Sequence, residues 1–236
     1  MGGLYKISET AVRAATDRVD LVSRNVAGMT APGFKGAFAV VIDDMSGAAT
    51  NTGVSRVQGH TRFDQGALRA TGATLDLAIS GRGFFKIQGA ETALYTRDGQ
   101  FRRDETGRIV NAQGMALLGA DGADIRLGDG HVEISPDGTV LEDGAPVGQI
   151  VVYDPEGLSP AATGGGANFV AEGPNSAALE RPLIRQGMLE MSNVELSTEM
   201  IALMSAVRGA EIGAKLMQTY DGALEQAIAA FGKTGR

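Results

Sequence analysis

Cysteine and tryptophan are absent from this chain, and only 5% of its residues are aromatic. Without a thiol, disulfides and thiolate metal sites are excluded, while the redox compartment stays open. Histidine is scarce too: the two present, His60 and His131, stand near no serine or carboxylate in an order that catalysis uses. Positive charge is in deficit, with a net charge of −7 and a pI near 4.9, which argues against a nucleic-acid partner. No apolar run is long enough to span a membrane. The opening residues, Met1-Gly2-Gly3-Leu4-Tyr5-Lys6 and then Ser8, Glu9 and Thr10, lack the apolar core of a cleaved signal. If the protein leaves the cytoplasm, an uncleaved route is expected. Glycine, by contrast, is abundant at 34 residues, which suits many short strands joined by turns better than a large enzyme pocket.

What the chain does have is a helical stripe at each end. From Leu196 an apolar seam runs through Met200, Leu203, Val207, Ala210, Ala214, Met217, Asp221, Leu224, Ile228 and Phe231 in steps of four and three, interrupted only by Asp221. That is the spacing of a coiled-coil seam, and so narrow a stripe on so long a helix needs a partner. Near the N-terminus Val12, Ala15, Val19, Val22 and Val26 repeat the alternation, with Arg13, Asp17, Arg18, Asp20 and Arg24 off the seam. Ala31-Pro32-Gly33 ends that helix.

Between the stripes the period changes from 3.6 to 2. Leu75, Leu77 and Ile79 alternate with Asp76 and Ala78, and Phe85 and Ile87 flank Lys86. Arg97-Asp98-Gly99 predicts a hairpin between residues 94–96 and 100–102, and further Asp-Gly pairs begin at Asp121, Asp129, Asp137 and Asp143. Turns this short join only antiparallel strands. The expected fold class is therefore α+β: N- and C-terminal coiled-coil-like helices packed together, with an inserted antiparallel β-rich domain. The expected division is residues 1–53 as N-terminal helix and linker, 54–185 as the β-rich outer domain, and 186–236 as the long C-terminal helix, with residues 43–53 a loose linker. A fragment of residues 54–181 is expected to fold alone.

Candidate chemistry is thin. The Asp-Gly repeats suggest calcium, but no nine-residue repeat or EF-hand spacing accompanies them, and turns between strands account for them better. Gly81-Arg82-Gly83 is a fragment of a dinucleotide fingerprint that leads into a strand instead of a helix. No nucleophile or metal cluster emerges, so no cofactor and no catalytic residue is expected.

Separated motifs then carry a family resemblance. They are Gln65-Gly66-Ala67-Leu68-Arg69-Ala70-Thr71-Gly72, and Leu75-Asp76-Leu77 leading to Gly83-Phe84-Phe85. Tyr95-Thr96-Arg97-Asp98-Gly99-Gln100-Phe101 follows, and then Gln186-Gly187-Met188-Leu189-Glu190-Met191-Ser192-Asn193-Val194. With Asn25-Val26-Ala27 and Gly33-Phe34-Lys35, this order resembles bacterial flagellar rod and hook proteins. Arg24, Gly28, Ala31-Pro32 and Arg208-Gly209-Ala210-Glu211 depart from the usual family residues. The short chain and its extension over residues 218–236 look more like the proximal-rod, F-type subunit than the distal-rod, G-type one.

The resemblance implies a structural subunit, exported by the flagellar type III apparatus without a cleaved signal and assembled helically with other rod subunits and its own copies. It implies a place in the rod of the basal body across the periplasm, with no nucleic-acid partner and no membrane insertion. The terminal helices would then be disordered in the monomer. The readings from other classes are a monomeric β-rich binding or adhesion protein with a helical stalk, and an enzyme of unrecognised type.

Overall fold

The computed structural model describes residues 2–44, 54–90, 92–162, 166–173 and 176–233, so most of the expected linker lies outside the described residues. Two compact units emerge. One holds Met1–Ala27, Ala37–His60 and Glu195–Arg236; the other holds Gly28–Gly36 and Thr61–Val194. The segments 28–36 and 186–194, expected with the terminal helices, thus pack with the β-rich body.

In the first unit, α1 spans Gly2–Gly28 and α2 spans Leu196–Lys233. A two-stranded ladder, Ala37–Asp44 with Val54–Thr61, accompanies them. The helices pack together, α1 through residues of its expected seam and α2 along a different line. On α2 the buried positions are Glu199, Ala206 and Gly213, seven residues apart. On α1, Ser8, Ala15 and Val22 keep the same interval, joined by Leu21 and Asn25. A Cβ at Gly213 would lie 2.8 Å from Val12 Cγ2, and one at Gly209 3.9 Å from Ala15 Cβ. Close approach of two backbones selects small side chains, whatever their hydrophobicity.

The line of contact differs from the expected seam on α2 and shares Ala15 and Val22 with that on α1. On α1, Ala15 and Val22 are buried and Val12 and Val19 half-buried, whereas Val26 is exposed, its turn being held inward by Asn25. On α2, Leu196, Met200, Leu203, Val207, Ala214 and Ile228 are exposed, and Ala210, Met217 and Leu224 half-buried. Asp221 is exposed as well, and the Phe231 side chain lies outside the described residues. Asn25 fixes the end of α1 by pairing with backbone in strand fashion. Its Nδ2 donates to the Ala37 carbonyl at 2.7 Å, the Ala37 N–H donates to its Oδ1 at 2.9 Å, and Nδ2 also reaches Glu199 Oε1 at 3.0 Å.

The contacts set an antiparallel register that is open to a direct test. Because the chain has no cysteine, Ala15→Cys with Gly209→Cys is a clean pair, at a Cβ separation suited to a disulfide. Mild oxidation should convert the double variant to an intramolecular disulfide, seen as a mobility shift on non-reducing gels. Val26→Cys with Gly209→Cys should not cross-link.

The second unit is built on a six-stranded sheet in the order Leu158–Pro160, Asn168–Ala171, Leu94–Thr96, Phe84–Ile87, Val152–Pro155, Ser176–Ala178. Its neighbours are antiparallel throughout. Phe85 and Ile87 enter the main core with Leu77, Ile79, Ile109, Leu117, Ile150 and Ile184. Phe84, one residue out of phase, joins Tyr95 and Phe169 in a separate aromatic cluster. A three-stranded meander, Val132–Ile134, Thr139–Glu142 and Ala145–Gln149, includes the expected Asp143-Gly144 hairpin. Asp143 there takes a φ of 50°, as the two-residue turn requires.

The hairpin expected across Arg97-Asp98-Gly99 does not form. Leu94–Thr96 pairs instead with Phe84–Ile87 and Asn168–Ala171. Beyond the turn, the Leu77 N–H donates to the Gly99 carbonyl at 3.0 Å, and Gln100 bridges Asp76. The turn is pulled to another strand because Thr96 Oγ1 accepts from the Asp98 N–H and Asp98 Oδ1 from the Gln100 N–H. The unit is closed by its last residues: Ile184–Gln186 pairs with Leu77–Ile79, and Met188–Glu190 with Leu68–Ala70.

Candidate assembly surface and buried ion knot

Apart from Asn25-Val26-Ala27, which lie in the first unit, the family-motif residues gather in the second unit. Glu190, on the closing strand, is fully buried, as are the ends of Lys35 and Arg97. Lys35 Nζ donates to Glu190 Oε1 at 2.5 Å and to the Asp64 carbonyl at 2.7 Å. Arg97 Nη1 donates to Glu190 Oε2 at 3.0 Å, and its Nη2 to the Gly81 carbonyl at 2.7 Å. The Gly66 N–H completes the set on Glu190 Oε1 at 3.0 Å, while Gln65 Nε2 donates to the Ile79 carbonyl at 2.5 Å. One carboxylate thus ties together segments that lie 155 residues apart in the chain. Burial pushes the Lys35 ammonium below its ordinary pKa, against the raising effect of Glu190, and it lowers Arg97 in the same way.

The remaining motif residues hold the backbone around this knot. Gly33, with φ of 67°, donates its N–H to the Glu190 carbonyl at 2.8 Å, and a Cβ there would meet Asp98 N at 2.1 Å. At Gly66 a Cβ would meet the Met191 carbonyl oxygen at 1.9 Å. No side chain fits at either position. Phe34 is buried. Asn193 takes the Gly36 N–H on Oδ1 and donates to the carbonyls of Arg62 and Asp64. Gln186 accepts from the Ile134 N–H and donates to the carbonyls of Thr74 and Val132. Thr71 Oγ1 donates to Asp76 Oδ2 at 2.5 Å, and the N–H groups of Thr71 and Gly72 donate to the Gly187 carbonyl. Leu77, Phe84 and Phe85 are core, Gly83 turns into their strand at φ of 108°, and Leu68, Leu75 and Val194 are half-buried.

Lys35, Gln65, Arg97 and Glu190 are all letters of the sequence motifs, where nothing joins them into one ion knot, and Glu199 lies outside every motif. The available signal was a lone charge inside an apolar setting, as in Met188-Leu189-Glu190-Met191. Among the described residues, no group of three or more His, Cys, Asp or Glu could hold a metal ion, and no helix is long and apolar enough to cross a membrane. The His60 ring lies 6.1 Å from Phe38.

A β-rich body locked by its own chain ends, and a helix pair with apolar surface left uncovered, define a structural building block of a larger assembly. The model "Flagellar hook protein FlgE/F/G D1 domain" matches residues 78–142, and "Flagellar basal body rod FlgEFG protein C-terminal" matches residues 185–230. The chain is 32% identical over 231 residues to the flagellar basal-body rod protein FlgF of Caulobacter vibrioides, covering 91% of this chain and 92% of that one. It is 30% identical to FlgF of Rhizobium meliloti, covering 98% of both chains, and 30% identical to FlgG of Bacillus subtilis, covering 89% and 83%. The chain belongs to the flagellar basal-body rod protein family. It is a structural subunit of the rod that serves motility, assembling with other rod subunits in the flagellum, and is not an enzyme.

Proposed function

We propose that α2 is the polymerisation element, and that its exposed seam is covered by the helices of neighbouring copies in a helical rod. The observation that carries this is the distribution of uncovered apolar side chains. At 100° per residue, Leu196, Leu203 and Val207 lie on one side of the buried Ala206–Gly213 line. Ile212 and Leu216 lie on the other, and Ile201 and Met204 point away from it. Ile201 is 66% exposed and Ile212 61%. Exposed apolar side chains thus stand on more than one side of α2, the outward side also carrying Arg208, Glu211 and Lys215, and one partner could cover only one of those sides. Repeated contacts between unlike surfaces that do not close into a ring generate such a helical assembly. The coiled-coil spacing of residues 196–231 then serves contacts between subunits, with Val26 of α1 in the same role.

In this reading the subunit passes through the flagellar type III export apparatus and lies in the rod across the periplasm. The stretch of residues 218–236 supports the F-type, proximal-rod position over the G-type.

Leu203→Asp tests the polymerisation reading. Leu203 is 37% exposed, so the variant should fold, whereas an unpaired charge in a packed interface costs several kcal/mol. Motility should be abolished and the subunit missing from purified basal bodies, while Asp221→Leu should assemble. Wild-type incorporation of Leu203→Asp would overturn the reading.

A further inference from the structure

Sulfur in this chain is confined to nine methionines, since it has no cysteine. Reversible oxidation of sulfur can therefore act only through thioethers. The structure sorts these by access. Met29, Met115, Met188, Met191 and Met217 are half-buried, and the side chains of Met1 and Met45 lie outside the described residues. Among the described methionines only Met200 and Met204 are exposed, at 57% and 55%.

Both stand on α2, one turn apart. With Leu203 and Val207 they occupy about 100° of arc, in the order Leu203, Val207, Met200, Met204. Residues three and four apart on a helix are neighbours, so two thioethers and two aliphatic side chains make one continuous patch. Leu203 and Val207 are exposed there too. Arg208 and Glu211, four residues on from Met204 and Val207 respectively, border the patch towards the C-terminus. A thioether is soft enough to fill an irregular contact. One added oxygen makes it a polar sulfoxide, a change that sulfoxide reductases reverse. Hydrogen peroxide supplies that oxygen: its O–O bond breaks, the sulfur gives up two electrons to form the S–O bond, and water leaves. A sulfoxide dipole covered by apolar surface has lost its water without gaining a partner, which disfavours the covered state.

We infer that Met200 and Met204 form an oxidation gate on assembly: peroxide converts them to sulfoxides in the free subunit and bars it from the rod, whereas docking shields them. The inference rests on the rod reading above, in which this patch is covered. Purified subunit treated with hydrogen peroxide and mapped by peptide mass spectrometry should oxidise at Met200 and Met204 about tenfold faster than at the half-buried methionines. The same treatment of isolated basal bodies should leave Met200 and Met204 reduced. Met200→Gln with Met204→Gln sets a permanent amide dipole where the sulfoxide would stand, on residues that keep the helix. That double variant should melt as wild type yet be recovered in basal bodies at less than about a tenth of the wild-type level. Met200→Leu with Met204→Leu should be recovered as wild type, which separates polarity from loss of the thioether. Wild-type recovery of the glutamine pair while Leu203→Asp is excluded would overturn the gate and spare the rod reading. Equal oxidation rates at all the described methionines of the free subunit would overturn it as well. Rapid oxidation of Met200 and Met204 within basal bodies would show the patch uncovered, and would remove the rod reading and the gate together.

Discussion

Glu190→Ala should lower the stability of the β-rich unit by about 3–5 kcal/mol, because it leaves Lys35 and Arg97 buried without their carboxylate. The loss would take a large share of the roughly 5–15 kcal/mol that holds an ordinary domain together. Urea unfolding of the full chain would read it as a shift in midpoint at constant slope. Lys35→Ala with Glu190→Ala should cost less than the two changes summed, since the double variant leaves one fewer orphaned charge. The exposed pair Arg103–Asp129, with side chains 40% and 97% accessible, supplies the contrast: Arg103→Ala should cost no more than about 1 kcal/mol. Equal effects at Glu190 and Arg103 would show that the knot is hydrated and inconsequential.

A fragment of residues 54–181, expected from turn chemistry to fold alone, should instead fail to melt cooperatively. It lacks Lys35 and Glu190 and so leaves Arg97 without its acid. Also missing are the strands Ile184–Gln186 and Met188–Glu190, and with them the buried side chains of Ile184 and Leu189. Each of those two side chains is worth about 1.5–3 kcal/mol of burial. With the knot, the deficit reaches the whole stability of a typical domain. A fragment of residues 28–194 keeps all of these groups and should show a sigmoidal melt by circular dichroism. A cooperative melt of 54–181 would mean that the closing strands are ornamental.

The contrast between those fragments shows where the sequence was legible. Both helices could be placed because a 3.6-residue period is local, and α2 starts at Leu196, where its seam begins. The contact face could be placed on α1, through Ala15 and Val22, but not on α2. Hydrophobicity ranks Leu203 and Val207 above Gly209 and Gly213, yet two backbones approach most closely where side chains are smallest. The antiparallel β character and the Asp143-Gly144 turn were visible in alternation and turn residues. The pairing of Leu68–Ala70 with Met188–Glu190 was not, since nothing local joins strands so far apart. Asp98-Gly99 misled because the side chains of Thr96 and Asp98 redirect the turn towards Leu77. The knot was visible only as letters of a family pattern; the geometry supplied the reason for them.

The distance along the chain between Lys35 and Glu190 has a consequence in time. Contacts of such long range form late, since the closure entropy of the intervening loop is lost before they reward it. A chain fed through a narrow conduit from either end keeps one partner of the latch inside until nearly all of the other 155 residues have come out. Until then, Lys35 and Arg97 on one side, or Glu190 on the other, remain hydrated, and the strand that seals the core has nothing to pair with. Under the proposed export, the polypeptide would stay a thread inside the conduit and become a body only on release.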